Sequence, residues 1–221
     1  MIRAVIFDLD GVLVATDELH FRAWKSVADR EGIPFDRAFN ERFRGVGRME
    51  CLDMLLERAG RRPDESQRAD LAAEKDKIFR ASLASLGPDD AFPGIRGLIE
   101  ELRARGVKLA VGSASRNARL ILERLDLIRA MDVVVDGTMV EASKPDPVIF
   151  QEAARRLGIE ASDCCVVEDS WAGAEAARRA RMRVVGVGVG KLGPVAARVV
   201  NAQELRAGLL LGEEPTAKDD S

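Results

Sequence analysis

Five short apolar runs, most of them rich in valine, constrain the fold of this chain more than any other feature of its sequence. The runs are residues 4–7, 107–111, 133–135, 164–167 and 184–189. Continuous apolar runs of this length are typical of strands buried on both faces of a parallel sheet. Most are separated by segments with apolar residues at helical spacing, such as Leu98, Ile99 and Leu102. Strands that alternate with helices predict a doubly wound α/β domain with right-handed crossovers.

The segment between the first and second predicted strands is far too long for a single crossover. It shows only helical periods, in three apolar stripes: Leu19, Ala23, Trp24 and Val27; Leu52, Leu55, Leu56 and Ala59; and Leu71, Ile78, Phe79 and Leu83. We therefore predict an α-helical cap, residues 16–87, inserted into an α/β core of residues 1–15 and 88–221. The polar end of the chain, residues 212–221, is expected to be frayed.

Composition narrows the classes of function. The 34 Lys and Arg residues nearly balance the 37 Asp and Glu residues, for a net charge of −3, so nucleic acid is not expected as the main partner. One histidine and no tyrosine exclude a histidine-based metal cluster and leave acid–base work mainly to carboxylates. The three cysteines, Cys51, Cys164 and Cys165, do not form a disulfide or zinc pattern and are expected to be small buried side chains.

No targeting or membrane segment is recognised in the sequence. The chain opens without an apolar signal region, and no apolar stretch reaches the roughly 18 residues needed to span a bilayer. We therefore expect a cytoplasmic protein, a monomer with no membrane partner.

Polar residues follow four of the predicted strands. In chain order they are Asp8 and Asp10; Ser113, Ala114 and Ser115; Lys144; and Glu168 and Asp169. Ligands of open α/β sheets bind outside the carboxyl ends of the strands, so these groups are expected to meet at one rim.

The acidic residues of this rim predict a magnesium site. Asp8 and Asp10 are two residues apart, which on an extended strand places both carboxylates on one face. With Glu168 and Asp169 they form a concentration of oxygen ligands that needs a hard cation and suits Mg²⁺. Because Mg²⁺ is commonly bound together with substrate phosphates, we expect a phosphate at the site. The Ser113 hydroxyl, the N–H groups of Ala114 and Ser115, and the Lys144 ammonium would bind its oxygens.

Four of these segments resemble the signature motifs of the haloacid dehalogenase superfamily. They are Asp8-Leu-Asp10-Gly-Val, Ser113-Ala-Ser, Lys144-Pro and Glu168-Asp-Ser, and the resemblance covers essentially the whole chain. It implies a Rossmann-like core of that superfamily, with Asp8 as the nucleophile that accepts a phosphoryl group and Asp10 as the general acid and base. These roles agree with the chemistry of a carboxylate beside a metal-bound phosphate.

Further segments resemble the β-phosphoglucomutase family within that superfamily. They are Thr16-Asp-Glu-Leu-His20-Phe-Arg-Ala-Trp24-Lys, Gly45-Val-Gly-Arg48, Ser113-Ala-Ser-Arg-Asn117 and Ala142-Ser-Lys144-Pro. The resemblance implies conversion of β-glucose 1-phosphate to glucose 6-phosphate through the 1,6-bisphosphate, beneath a closing cap. The implied substrate-binding residues are His20, Gly45, Val46, Gly47, Arg48, Lys75, Ser113, Ala114, Ser115, Arg116, Asn117 and Lys144.

Three of these cap residues have support from their own surroundings. Lys75 lies within an apolar stripe and must point inward or snorkel. His20 shares a helix face with Ala23 and Trp24. The alternative to a functional role is that His20 is simply a packed side chain. Arg48 follows two glycines at a predicted helix start, where an arginine suits a phosphate distal to Asp8 and a solvated arginine is the alternative.

The chain also departs from the family pattern. Gly47 stands where we expect serine, Ala15 where an acidic residue is common, and Trp171 where a polar residue is common. A phosphatase that releases phosphate from a small sugar phosphate is therefore the alternative function. A non-enzymatic binding module is a third interpretation, but it would be expected to have lost Asp8 or Asp10.

Overall fold

The computed structural model describes residues 1–213 and contains one six-stranded parallel sheet. Its strands are β1 Ala4–Phe7, β2 Lys108–Gly112, β3 Val133–Val135, β4 Cys164–Glu168, β5 Arg183–Val187 and β6 Ala197–Val199. They lie in the order β3-β2-β1-β4-β5-β6, so the predicted doubly wound parallel sheet is confirmed.

The sheet differs from the prediction at its far edge. β5 ends two residues early, because Gly188 takes a φ of 93° and turns the chain out of the extended conformation. The short strand β6 was not predicted, since three residues with the exposed Arg198 at their centre carry no apolar run.

Nine α-helices lie within residues 1–213. They are α1 Asp17–Arg30, α2 Arg37–Asn40, α3 Arg48–Arg58, α4 Glu65–Ser82, α5 Ile95–Ala104, α6 Ala118–Arg124, α7 Val148–Leu157, α8 Trp171–Arg179 and α9 Ala207–Leu211. Short 3₁₀ turns join several of them. No helix in this part of the chain is long and apolar enough to cross a membrane.

The sheet is buried on both faces, as the continuous apolar runs predict. Alternate residues of β1 face opposite ways, so Val5 and Phe7 join one apolar cluster and Ala4 and Ile6 join another. The first cluster packs against helices α5, α6 and α9, and the second against α7 and α8. Packing on both faces fixes the position of β1 and therefore also the position of Asp8, which follows it.

Helices α1 to α4 lie between β1 and β2 and build a third apolar cluster. Trp24, Leu52 and Leu55 are buried there, together with an aromatic group formed by Phe35, Phe39 and Phe43. Leu19, Ala59 and Ile78 of the predicted stripes are only partly buried. Ala23, Phe79 and Leu83 instead join the cluster that packs on the sheet. The cap boundaries at 16 and 87 stay a prediction.

The end of the chain lies mostly outside the described residues. Of the segment expected to be frayed, 212–221, only Gly212 and Glu213 are described, and the N–H of Glu213 donates to the carbonyl of Gly208 at 2.9 Å.

Candidate active site

The parallel strands bring the predicted site residues together at one edge of the sheet. Asp8 follows β1, Ser113 follows β2, and Glu168 is the last residue of β4, and these three strands are neighbours in the sheet. The N–H of Asp8 donates to the carbonyl of Val167 at 2.9 Å, which fixes its backbone at the end of β4. The position of these side chains is thus a direct consequence of strand order.

A buried cluster of two carboxylates and one ammonium lies at this edge. Lys144 Nζ donates to Asp8 Oδ1 and, at 2.7 Å, to Glu168 Oε1, and all three side chains are nearly inaccessible to solvent. Burial would lower the pKa of Lys144, but the charges of Asp8 and Glu168 outweigh it and raise that pKa. Burial raises the pKa of Asp8 well above its ordinary value, although Lys144 opposes the shift.

Three carboxylates offer oxygens to a metal ion. Asp8, Glu168 and Asp169 each present one oxygen, and these atoms lie within 4.8 Å of one another. Such an all-oxygen donor set suits a hard divalent cation. Glu168 Oε2 is already held by the N–H groups of Asp169 and Ser170, at 2.8 and 2.7 Å, so the orientation of this carboxylate is fixed.

The carboxylate of Asp10, the fourth predicted ligand, lies outside this cluster. The prediction assumed an extended strand through Asp10, but β1 ends at Phe7 and a turn follows, with the N–H of Leu13 donating to the carbonyl of Leu9 at 2.9 Å. The Asp10 side chain therefore points toward α1. Its Oδ1 accepts a hydrogen bond from the Thr16 hydroxyl and lies 3.8 Å from His20 Nε2.

The charge of Asp10 is stabilised there. Burial opposes ionisation of Asp10, but the nearby His20 ring and the hydrogen bond from Thr16 outweigh it and hold the pKa of Asp10 below its ordinary value. Thr16 and His20 lie at the start of the helical insertion formed by α1 to α4, so the Asp10 carboxylate is connected to this insertion. The role of Asp10 as a metal ligand stays a prediction.

His20 lies next to Asp10 on the insertion side of the site, and Lys75 lies behind His20. Lys75 is 3% exposed and points inward, with Nζ 2.9 Å from His20 Nδ1. The His20 ring stacks on Phe79 with centroids 3.9 Å apart. Burial, reinforced by the charge of Arg48, lowers the pKa of Lys75 to about 8. Burial and the charge of Lys75 together lower the pKa of His20 below its ordinary value.

A second polar group forms around Arg48. Arg48 Nη2 donates to Asp76 Oδ1 at 2.6 Å, and Asn117 Nδ2 donates to the same oxygen at 2.8 Å. Arg48 and Asp76 belong to α3 and α4, whereas Asn117 precedes α6 on the other side of the site. Arg48, which was predicted from its position at a glycine-flanked helix start, thus lies opposite Asn117 on the other side of the site.

Arg44 is a site residue that the sequence analysis missed. Its Nη2 donates to the carboxylate of Asp169 and lies 3.4 Å from Asp17 Oδ2. The signal in the sequence was the presence of a basic residue, Arg44, directly before Gly45. The sequence does not show where the side chain of Arg44 points.

A cavity of about 80 Å³ lies between the insertion and the sheet edge. The predicted residues that line it are Asp8, Asp10, His20, Gly45, Val46, Arg48, Lys75, Ala114, Ser115, Arg116, Asn117 and Asp169. Ser113, Lys144 and Glu168 are fully buried behind it, and Gly47 lines a neighbouring cavity. Ligand pockets are usually roughly 300 Å³ or larger, so this cavity is small for a sugar phosphate in the conformation described.

The three residues that depart from the family pattern, Gly47, Trp171 and Ala15, lie in different surroundings. A Cβ atom at Gly47 would lie 2.9 Å from Ser143 Cβ and 2.5 Å from Glu50 Oε2, so a serine there would require its neighbours to shift. Trp171 is half exposed at the start of α8, and Ala15 is exposed. Neither side chain lines the cavity.

Comparison with known proteins gives a consistent result. The family described as haloacid dehalogenase-like hydrolase matches residues 2–181. A β-phosphoglucomutase of Bacillus subtilis is 41% identical over 191 residues, which are 86% of this chain and 84% of that protein. A phosphorylated carbohydrates phosphatase of Thermotoga maritima is 35% identical over 189 residues, 84% of this chain and 85% of that protein. The crystal structure of a Clostridium difficile β-phosphoglucomutase superposes with a TM-score of 0.93 at 32% identity, covering 96% of this chain and 97% of that one.

Proposed function

The chain belongs to the haloacid dehalogenase-like hydrolase family, and from this premise we propose that it is a phosphotransferase that isomerises β-D-glucose 1-phosphate to glucose 6-phosphate through the 1,6-bisphosphate. The family predicted from the motifs is confirmed. The observation that carries the proposal is a second group of anion-binding donors, the Arg48 guanidinium and the Asn117 amide, in the cavity that also holds Asp8. A mutase needs a second anion site, because its substrate must bind with either phosphate facing the nucleophile.

We propose Asp8 as the nucleophile. A carboxylate oxygen of Asp8 would form a bond to phosphorus while the bond from phosphorus to the sugar oxygen breaks, giving an aspartyl phosphate. Lys144 supports this role, since its ammonium contacts Asp8 and offsets the negative charge that collects there. The Ser113 hydroxyl and the Ala114 N–H are proposed to bind the phosphoryl oxygens.

Mg²⁺ is the proposed metal, held by Asp8, Glu168 and Asp169. It would neutralise charge on the phosphoryl group. The buried Lys144 and the fixed orientation of Glu168 keep these carboxylates close together.

We propose Asp10 as the acid and base. It would take the proton of the sugar hydroxyl that attacks the phosphoenzyme, and return that proton to the sugar oxygen that departs when the bisphosphate transfers its other phosphoryl group back to Asp8. Thr16 and His20 orient its carboxylate, and both lie on the insertion side of the site. Asp10 is therefore placed correctly only while the insertion is closed on the core.

This coupling favours transfer to a sugar over hydrolysis. We propose that residues 16–87 act as a cap whose closure positions Asp10, brings Gly45, Val46, Gly47 and Arg48 to the substrate, and excludes water. A water molecule does not bind Arg48 as a phosphate would, so it does not favour the closed form. The monomeric state and the cytoplasmic location stay predictions.

A phosphatase acting on a small sugar phosphate is the second candidate. The Thermotoga relative named a phosphorylated carbohydrates phosphatase favours it. It has less support, because the B. subtilis relative is more similar to this chain and is a β-phosphoglucomutase, as is the compared crystal structure.

The test is an assay that follows both products. Purified protein is supplied with Mg²⁺, β-glucose 1-phosphate and a trace of β-glucose 1,6-bisphosphate, and glucose 6-phosphate and free phosphate are measured together. We expect glucose 6-phosphate to dominate, and a product that is mostly free phosphate would overturn the mutase proposal. Asp8→Asn should form neither product. The matched control is Asp146→Asn, at an exposed aspartate that accepts the N–H of Val148 at the start of α7, and it should retain both products.

A further inference from the structure

Asp76 places a carboxylate between two of the proposed phosphate ligands. Its Oδ1 accepts hydrogen bonds from Arg48 Nη2 at 2.6 Å and from Asn117 Nδ2 at 2.8 Å. A guanidinium and an amide that converge on one anionic oxygen form the contacts that a phosphate oxygen would accept. Asp76 therefore takes the acceptor position that a distal phosphate would need.

The donors are fixed and poorly solvated. The Arg48 side chain is 12% exposed, and Asn117 is buried. Arg80, one turn after Asp76 on α4, donates from Nη1 to Asn117 Oδ1 at 3.4 Å, which leaves the amide nitrogen of Asn117 directed at Asp76. These donors cannot turn to water as an exposed side chain would, so an anion that binds them has to share them with Asp76 or displace it.

The charges around Asp76 also favour an added anion. Arg48 pairs with Asp76, Arg80 contacts their shared partner Asn117, and Arg116 lines the same cavity as Arg48. Three arginines against one aspartate leave a local excess of positive charge. The carboxylate reduces that excess and repels any second anion that approaches the same donors.

We propose that Asp76 is a built-in competitor of the distal phosphate and sets how tightly this site holds a phosphorylated sugar. The inference rests on the proposed function, in which Arg48 and Asn117 bind the phosphate that is not being transferred. A mutase gains from such a competitor. Its bisphosphate intermediate must leave the cavity and rebind in the opposite orientation, and a distal site that binds too tightly would trap it.

The test compares wild type with Asp76→Asn. Asparagine keeps the shape and one acceptor oxygen but removes the charge. Asp70→Asn, on the exposed part of the same helix, is the matched control. For each protein, KM and kcat are measured for β-glucose 1-phosphate, kcat/KM for p-nitrophenyl phosphate, which has no second group for Arg48, and Kd for glucose 6-phosphate by calorimetry without added metal. Thermal unfolding verifies that each variant is folded.

We expect Asp76→Asn to lower KM for β-glucose 1-phosphate and Kd for glucose 6-phosphate by roughly tenfold, the size expected for removing one like charge several ångströms from the ligand. The ratio of kcat/KM for the sugar phosphate to that for p-nitrophenyl phosphate should rise, and Asp70→Asn should change none of these values.

Two results would overturn the inference. If Asp76→Asn binds glucose 6-phosphate more weakly or equally well, the carboxylate orients Arg48 for the ligand instead of competing with it. If binding improves equally for p-nitrophenyl phosphate, the effect does not belong to the distal site. A wild-type protein that makes no glucose 6-phosphate would refute the proposed function, and the calorimetric comparison would still decide the role of Asp76.

Discussion

The Nζ atom of Lys75 lies 2.9 Å from Nδ1 of His20 and thereby selects the tautomer of this histidine. An ammonium can only donate, so Nδ1 accepts and the ring proton is on Nε2, the nitrogen that faces Asp10. A lysine from α4 thus orients a hydrogen-bond donor toward the proposed acid and base.

His20→Ala should move the acidic limb of the pH–rate profile to higher pH. The interaction with His20, whose Nε2 lies 3.8 Å from Asp10 Oδ1, is the largest of those that lower the pKa of Asp10, so its removal lets that pKa rise. The measurement is kcat/KM for β-glucose 1-phosphate between pH 5 and 9. His20→Gln, which keeps an N–H donor, should shift the limb less, and equal profiles for all three proteins would contradict this role.

Lys75 should make the stability of the ligand-free protein rise with pH. The folded protein releases the proton of Lys75 near pH 8, whereas the unfolded chain keeps it up to the ordinary pKa of 10.5. Between these values the unfolded state binds one more proton, so the free energy of unfolding increases with pH, by about 3 kcal/mol at most.

Lys75→Met should lose this dependence. Denaturant titrations at pH 7.5, 9 and 10.5 should show wild type gaining stability relative to Lys75→Met as pH rises. Lys77→Met, at an exposed position of the same helix, should run parallel to wild type. Parallel curves for wild type and Lys75→Met would contradict the prediction.

Arg44→Gln should strengthen metal binding. Arg44 donates to Asp169, which is a proposed metal ligand, so metal and arginine compete for this carboxylate. Calorimetric titration with Mg²⁺ at pH 8 should give a Kd lower by roughly tenfold. That pH is chosen because burial and Glu168 raise the pKa of Asp169 to about 7, and protons also compete below it. Arg42→Gln, an exposed neighbour, is the control, and an unchanged or higher Kd for Arg44→Gln would refute the competition.

Arg48→Ala should separate transfer from hydrolysis. Losing a charge-assisted contact to the distal phosphate should reduce kcat/KM for β-glucose 1-phosphate by roughly 30- to 1,000-fold, equivalent to about 2–4 kcal/mol. Hydrolysis of the phosphoenzyme should slow far less, because water makes no contact with Arg48. Equal losses in both reactions would favour a phosphatase.

The sequence indicated the core of the site because strand ends are a local signal. Apolar runs located β1, β2 and β4, and the residues that follow or end parallel neighbours must meet at one edge of the sheet. Asp8, Ser113 and Glu168 were placed in this way, and the inward direction of Lys75 followed from its apolar neighbours on α4. The two-residue period of a strand could not show that the chain turns directly after Asp8 and directs the Asp10 carboxylate toward Thr16 and His20.

The sequence by itself determined the family, the parallel sheet and the four strand-end motifs. Only the tertiary structure decided the contacts across the cavity. Arg44 meets Asp169 across 125 positions of the chain, and Asp76 meets Asn117 across 41. Both are pairs between the helical insertion and the core. Apolar periodicity specifies which face of a helix is buried, but the direction of a long polar side chain depends on which charges the opposing surface presents. That surface exists only once the two parts of the chain have packed together.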